Sequence, residues 1–163
     1  MDQEKMKKAR GLRNNNPLNI IKSQIKWLGE VRPGTDKRFA QFESMEYGLR
    51  AALKLLRTYY TNHGLRTIRQ IISRWAPAFE NHTEVYIQSV ARQTGLQPDT
   101  QLPPMKEETR QVWCSIVLAM ASVECGLSAL QREGLEPQVQ RAWKLIKDTR
   151  DSPCFMSEGQ GTV

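Results

Sequence analysis

Long apolar runs are missing from this sequence, and so are the residue patterns that build metal centres, disulfide frameworks and phosphate cradles. None of its 163 residues falls in an apolar stretch long enough to cross a bilayer, so no membrane span is expected. The first ten residues are charged rather than hydrophobic, which argues against an ordinary signal peptide. Three cysteines, Cys114, Cys125 and Cys154, do not make a disulfide framework. Cys114 and Cys125 fall on one predicted helix about 16 Å apart, too far to bridge, so reduced thiols are expected. His63 and His82 are the only histidines, and neither stands at a metal-ligand spacing. There is no glycine-rich phosphate loop. No metal and no cofactor are therefore expected. Cys114 lies within an apolar run and Cys125 has no evident histidine partner, so a thiol nucleophile is not expected either.

Acidic residues are in the minority. The formal charge is +7 and the pI about 9.5, which suits an anionic partner such as nucleic acid, a bacterial wall or a membrane surface. Apart from Lys5, Lys7, Lys8 and Arg10, the basic residues are spread along the chain. Spread charge is what a solvated surface looks like, so a nucleic-acid partner is not favoured.

The length fits one domain. The expected organisation is a flexible basic arm over residues 1–10, a single domain over 11–148 with a proline-containing connector at 97–104, and a loose tail over 149–163. Short apolar segments between Ile20 and Phe42, punctuated by Gly29, Pro33 and Gly34, predict two or three short strands. Ser44 reads as a helix N-cap before Leu49, Ala52, Leu53, Leu56 and Tyr60 at helical spacing, and Gly64 ends that run. Thr67 to Gln70 reads as a capping box opening a helix that Pro77 stops, and Asn81 with Glu84 opens another that Gly95 closes. Residues from Glu107 to about Leu130 predict one long helix, and Pro137 suits the first turn of a last one. The fold class is mainly α, with a small β element near the N-terminus.

Three places could carry chemistry. Arg13-Asn14-Asn15-Asn16-Pro17-Leu18-Asn19-Ile20 forms neither helix nor regular strand, because Asn favours turns and left-handed conformations while Pro17 lacks a donor. Its amides suit a hydroxyl- and amide-rich ligand such as a glycan, or alternatively a hydrogen-bonded structural turn. Glu124 follows a run from Val112 to Val123 without a single charge. A carboxyl at the edge of such a helix is poorly solvated, which raises its pKa and suits a general acid. The alternative is a helix-end glutamate facing water or paired with an arginine. Glu80 lies between Trp75-Ala76-Pro77-Ala78-Phe79 and Asn81, a setting that fits a sugar-binding groove lined by aromatics or simply the turn before a helix. Asp36 and Glu43 could supply a second carboxylate, since glycosidases often use two.

The motifs Arg13-Asn14-Asn15-Asn16-Pro17, Asn19-Ile20, Trp27-x-Gly29, Phe39-x-x-Phe42, Gly48-x-Arg50-Ala51, Gly64-Leu65-x-Thr67-Ile68, Ile71-Ile72-x-Arg74-Trp75-Ala76-Pro77 and Glu80-Asn81-x-Thr83-x-x-Tyr86 occur in order. Together they resemble a family of phage and prophage proteins that comprises virion structural and lysozyme-like proteins, across residues 11 to about 130. The Asn-x-Pro-x-Asn-Ile, Trp-x-Gly, Phe-x-x-Phe order is also similar to the region that follows the catalytic glutamate in flagellar-type glucosaminidases and lytic transglycosylases. There the acid ends a helix that precedes this region. In this chain the comparable stretch comes late, at Ala119-Met120-Ala121-Ser122-Val123-Glu124-Cys125-Gly126. The phage family reads His-Glu-Asn-Gly there, so Val123 and Cys125 depart from it, as does Leu18 where the family has Gly.

The resemblance implies a lysozyme-like helical domain in permuted order, with the acid-bearing helix packed against the asparagine loop. It implies a peptidoglycan-cleaving protein of lysozyme or lytic-transglycosylase type. Glu124 is the expected general acid and Glu80 the second catalytic candidate. Asn14, Asn16, Asn19, Trp27, Trp75 and Tyr86 are the expected substrate-binding residues. The alternative is a non-catalytic virion protein that keeps the fold for binding or assembly. The expected partners are bacterial peptidoglycan and other virion proteins, and the expected location is the virion or the host cytoplasm before lysis.

Overall fold

The computed structural model describes residues 8–77 and 82–153, a mainly helical chain arranged around one buried helix. That helix, here α5 (Arg110–Cys125), follows a short 3-10 turn at Glu107–Thr109. Every residue from Ile116 to Ser122 is buried, along with Trp113 and Cys114. A helix that is apolar all round must be covered all round, and among the described residues this one packs against five others. These are α1 (Arg10–Arg13), α2 (Met45–His63), α4 (Thr83–Thr94), α6 (Ala129–Gly134) and α7 (Glu136–Leu145). A further helix, α3 (Ile68–Trp75), packs on α4 and α2, while α2 also lies along α7.

Local chemistry sets most of the helix ends. Thr67 Oγ1 accepts from Gln70 N at 3.1 Å, but the Gln70 side chain accepts from Arg66 N rather than returning to Thr67, so the expected capping box is half formed. Ser44 is the N-cap of α2 by position and extended backbone, without a side-chain bond. The cap expected at Asn81 lies outside the described residues, and α4 starts after His82.

The long helix expected from Glu107 to Leu130 is instead two. Gly126 has φ of 64°, a left-handed conformation that closes α5. Ser128 and Gln131 then form a reciprocal capping box that starts α6. Leu130, expected to continue the buried stripe, is 77% exposed. Cys114 and Cys125 do share α5, and both are free.

The β element is smaller than two or three strands. Ile21 pairs with Phe39 and Glu30 with Phe42 as isolated bridges. A two-residue strand β1 (Ile25–Lys26) pairs antiparallel with β2 (Ser152–Pro153). Between the bridges, the buried Asn16 side chain takes over the bonding that a strand would supply. Its Nδ2 donates to the carbonyls of Ile20 and Ala40 at 2.9 and 2.8 Å, and its Oδ1 accepts from Ile20 N at 2.9 Å.

Within the described residues, parts of both expected loose ends are held in place. Arg10, placed in the flexible arm, is the first residue of α1 and forms a two-bond ion pair with Asp36, both contacts 2.7 Å. The tail expected from 149 is docked through β2 and through Asp151, which pairs with the buried Arg50 at 2.6 Å and with Lys54. The physical reason is charge: an arginine at the core-facing side of α2 needs an acid, and Asp151 is the one that reaches it.

Candidate functional site

The asparagine loop turns by placing Asn15 and Asn19 in the left-handed region, at φ of 52° and 54°. Asn is one of the few residues with a side chain that enters that region at low cost. The loop's first three amides are spent inside the protein. Asn14 Nδ2 donates to Asp36 Oδ2 at 3.0 Å, Asn15 Nδ2 donates to the Phe42 carbonyl at 3.0 Å, and Asn16 forms the bracket described above. Asn14 and Asn16 are buried, so the expected role of these two in ligand contact gives way to a scaffolding one.

Asn19 is different. Its Nδ2 donates to Glu124 Oε1 at 3.2 Å, joining residues 105 apart in sequence. Gly11 permits the approach: a Cβ there would stand 2.7 Å from Cys125 Sγ and 2.9 Å from Asn19 Oδ1. A side chain there would force one of these groups, or the Asn16 carbonyl at 2.8 Å, to shift. Cys125 Sγ donates to the Pro17 carbonyl at 3.3 Å and ties the same two segments together.

Glu124 has two further donors. Tyr86 Oη, from α4, donates to Oε2 at 3.0 Å, and the Trp75 side chain, from the end of α3, supplies another hydrogen bond. Burial raises the Glu124 pKa, and these three donors pull it back without cancelling the rise. The Tyr86 phenol is itself buried, and desolvation together with the neighbouring Glu124 charge moves its pKa well up, so it stays a neutral donor.

The carboxyl opens onto a cleft of about 430 Å³ lined by Leu18, Asn19, Ile21, Arg38, Phe39, Trp75 and Glu124. Its described lining sets four apolar or aromatic side chains beside one amide, one guanidinium and one carboxyl. Of the expected site residues, Glu124, Asn19, Trp75 and Tyr86 come together here. Trp27 does not: it is buried and belongs to a separate depression with Lys26, Leu28, Gly29, Glu30, Glu43, Tyr47 and Arg150. Glu43 lies there too. Asp36 is held well below the usual carboxylate range, first by the Arg10 guanidinium and also by the Phe39 and Arg38 backbone amides, so it is a structural bracket. Glu80 lies outside the described residues.

Sequence reasoning missed Leu18, Ile21, Arg38 and Phe39. Arg38 and Phe39 sat in a segment read as strand, where a cation beside an aromatic was the available signal.

No family model matches the chain. Protein P5 of Pseudoalteromonas phage PM2 is 42% identical to it over 121 residues, covering 72% of each chain. The chain belongs to the family of this phage protein. Membership of a phage protein family is thereby shown, and no helix among the described residues is long and apolar enough to cross a membrane.

In this P5-family protein the three donors around Glu124 have opposite effects from its burial, and each can be removed alone. Tyr86→Phe takes away a hydrogen bond that favours the carboxylate, so the Glu124 pKa is expected to move further up. A carbon-detected NMR titration of the Glu124 carboxyl in both proteins checks the direction. A downward move would mean that burial, not the donor set, responds to the change.

Proposed function

We propose that this protein cleaves the glycan strands of bacterial peptidoglycan, with Glu124 as the single general acid, in the manner of a lysozyme or lytic transglycosylase. The observation that carries this reading is the Glu124 carboxyl itself, raised in pKa by burial, held by Asn19, Tyr86 and Trp75, and open to a cleft with aromatic walls. A carboxyl whose pKa is raised holds its proton to higher pH and can give it to a glycosidic oxygen as the bond to the anomeric carbon breaks. The resulting carboxylate can then take a proton back. If it takes it from water, the product is a reducing end; if from the sugar's own 6-hydroxyl, a 1,6-anhydro ring closes. One carboxyl thus serves both halves of the second reaction, which fits a cleft whose described lining holds no second acid.

Sugar rings present C–H faces that stack on Trp75 and Phe39, and the Asn19 amide offers hydrogen bonds beside them. The lysozyme-like, permuted character of the fold is part of the same proposal. Membership of a phage family agrees with a protein carried in the virion, or held in the host cytoplasm until lysis, with other virion proteins as partners.

A second reading has its own observation. Where the resembling family reads His-Glu-Asn-Gly, this chain has Val123 and Cys125, and Cys125 is used to fasten the loop to α5. A virion protein that keeps the scaffold without turnover would look like this.

Incubation with purified peptidoglycan, followed by mass spectrometry of the soluble fraction, decides between them. Muropeptide release is expected, with an anhydro end marking the transglycosylase and a reducing end the hydrolase. No release from several wall types would make the non-catalytic virion protein the better reading.

A further inference from the structure

Among the described residues the cleft is lined by one cation, Arg38, and its setting differs from that of the other arginine beside it. Arg10 and Arg38 both lie over the Phe39 ring, at 4.6 and 5.2 Å from its centroid. Arg10 is neutralised by Asp36 through two bonds of 2.7 Å. Arg38 is exposed and has no ion pair or side-chain hydrogen bond among the described residues. Its backbone is nonetheless fixed, because Asp36 Oδ1 accepts from Arg38 N at 2.9 Å and from Phe39 N at 2.8 Å. The guanidinium is therefore anchored at its base, supported on an aromatic face, and left with its donors unspent at the edge of the cleft that holds Glu124. Five donors in a planar fork match a carboxylate.

We propose that Arg38 selects a carboxylate-bearing glycan by pairing with an acidic substituent on a sugar bound in the Glu124 cleft. This rests on the glycan reading above and names the substrate feature that reading leaves open. A neutral polymer of N-acetylglucosamine would fill the apolar walls but leave Arg38 unpaired. A wall glycan, whose alternate sugars carry a lactyl acid or a peptide with free carboxylates, would use it. An exposed pair is weakened by salt, so the selectivity is expected to shrink as ionic strength rises.

The test uses binding, so that it does not depend on turnover. Isothermal titration calorimetry on the full-length Glu124→Gln protein would compare the disaccharide of N-acetylglucosamine and N-acetylmuramic acid with its lactyl methyl ester. The free acid is expected to bind roughly 10-fold more tightly, about 1.4 kcal/mol. Adding Arg38→Gln is expected to abolish that difference by weakening the acid alone, while Arg38→Lys restores part of it. Equal affinity for acid and ester, equal loss of both in Arg38→Gln, or no binding of either would overturn the assignment. Wall cleavage by the unmodified protein without acid selectivity would reject Arg38 and leave the general acid standing. Acid selectivity without cleavage would keep Arg38 and remove the catalysis.

Discussion

Glu124→Gln is expected to lower muropeptide release by about 10²–10⁴-fold, the range that a positioned general acid contributes, while leaving the protein as stable at pH 7 as before, or more so. The amide is nearly isosteric and keeps an oxygen to accept from Asn19 or Tyr86. What it cannot do is give up a proton. The stability half follows from linkage. The native pKa of Glu124 lies above its unfolded value, so between the two the native state binds more protons than the unfolded state. Stability contributed by this group is therefore full below the unfolded pKa and is lost as pH rises through the native one. At pH 7 the glutamate is at best neutral for stability and the glutamine removes that burden. Thermal unfolding of both proteins from pH 4 to 8, run beside the release assay, checks both halves. A glutamine variant that loses activity and Tm together would recast Glu124 as a structural residue.

How far this site was legible in the sequence depends on the distance over which each interaction acts. Glu124 was legible because the signal is local: twelve uncharged residues from Val112 to Val123, then an acid, then a glycine. Gly126 was less so. It fell inside the one long helix expected to reach Leu130, whereas its left-handed φ ends α5 and separates it from α6. The asparagine loop was legible as a turn, but not the division of labour inside it. Asn14, Asn16 and Asn19 are the same residue type within six positions, and two are buried brackets while one faces the cleft. Which is which depends on Asp36, Ala40 and Glu124, partners 22, 24 and 105 residues away. Arg38 was missed for a related reason. Only the pairing of Arg10 with Asp36 makes Arg38 the unspent cation, and no local pattern shows that. The mainly helical class was legible because hydrophobic periodicity is a property of each segment alone. The β element was over-read, since short apolar segments held by side-chain brackets look like strands until their partners are known.

The least legible feature carries the second large expectation. Asp151→Asn should destabilise the protein by about 3–5 kcal/mol in urea unfolding, the range for breaking a buried ion pair from one side, although a sequence reading assigns position 151 to a loose tail. Arg50 is fully buried, and its guanidinium donates to Asp151 Oδ1 at 2.6 Å, to Asp151 Oδ2 at 2.9 Å, and to the carbonyls of Leu145 and Asp148 at 2.9 and 2.5 Å. The two carbonyls hold its geometry, and only the carboxylate balances its charge. Asp151 also accepts from Leu28 N at 2.7 Å, so the same residue pins the segment that leaves β1. Burial opposes the Asp151 charge, but Arg50 and Lys54 outweigh it and hold the pKa below the usual carboxylate value. Its contribution is thus present above the unfolded pKa and lost as pH falls through the native one, giving an acid-labile protein whose lability the asparagine variant lacks. Deleting residues 149–163 removes the same partner and should cost as much. Replacing both members at once, Arg50→Met with Asp151→Leu, should recover most of the loss, because the penalty comes from stranding a buried charge rather than from losing the pair. Failure of the double replacement to recover stability would locate the cost in the Leu28, Leu145 and Asp148 contacts instead.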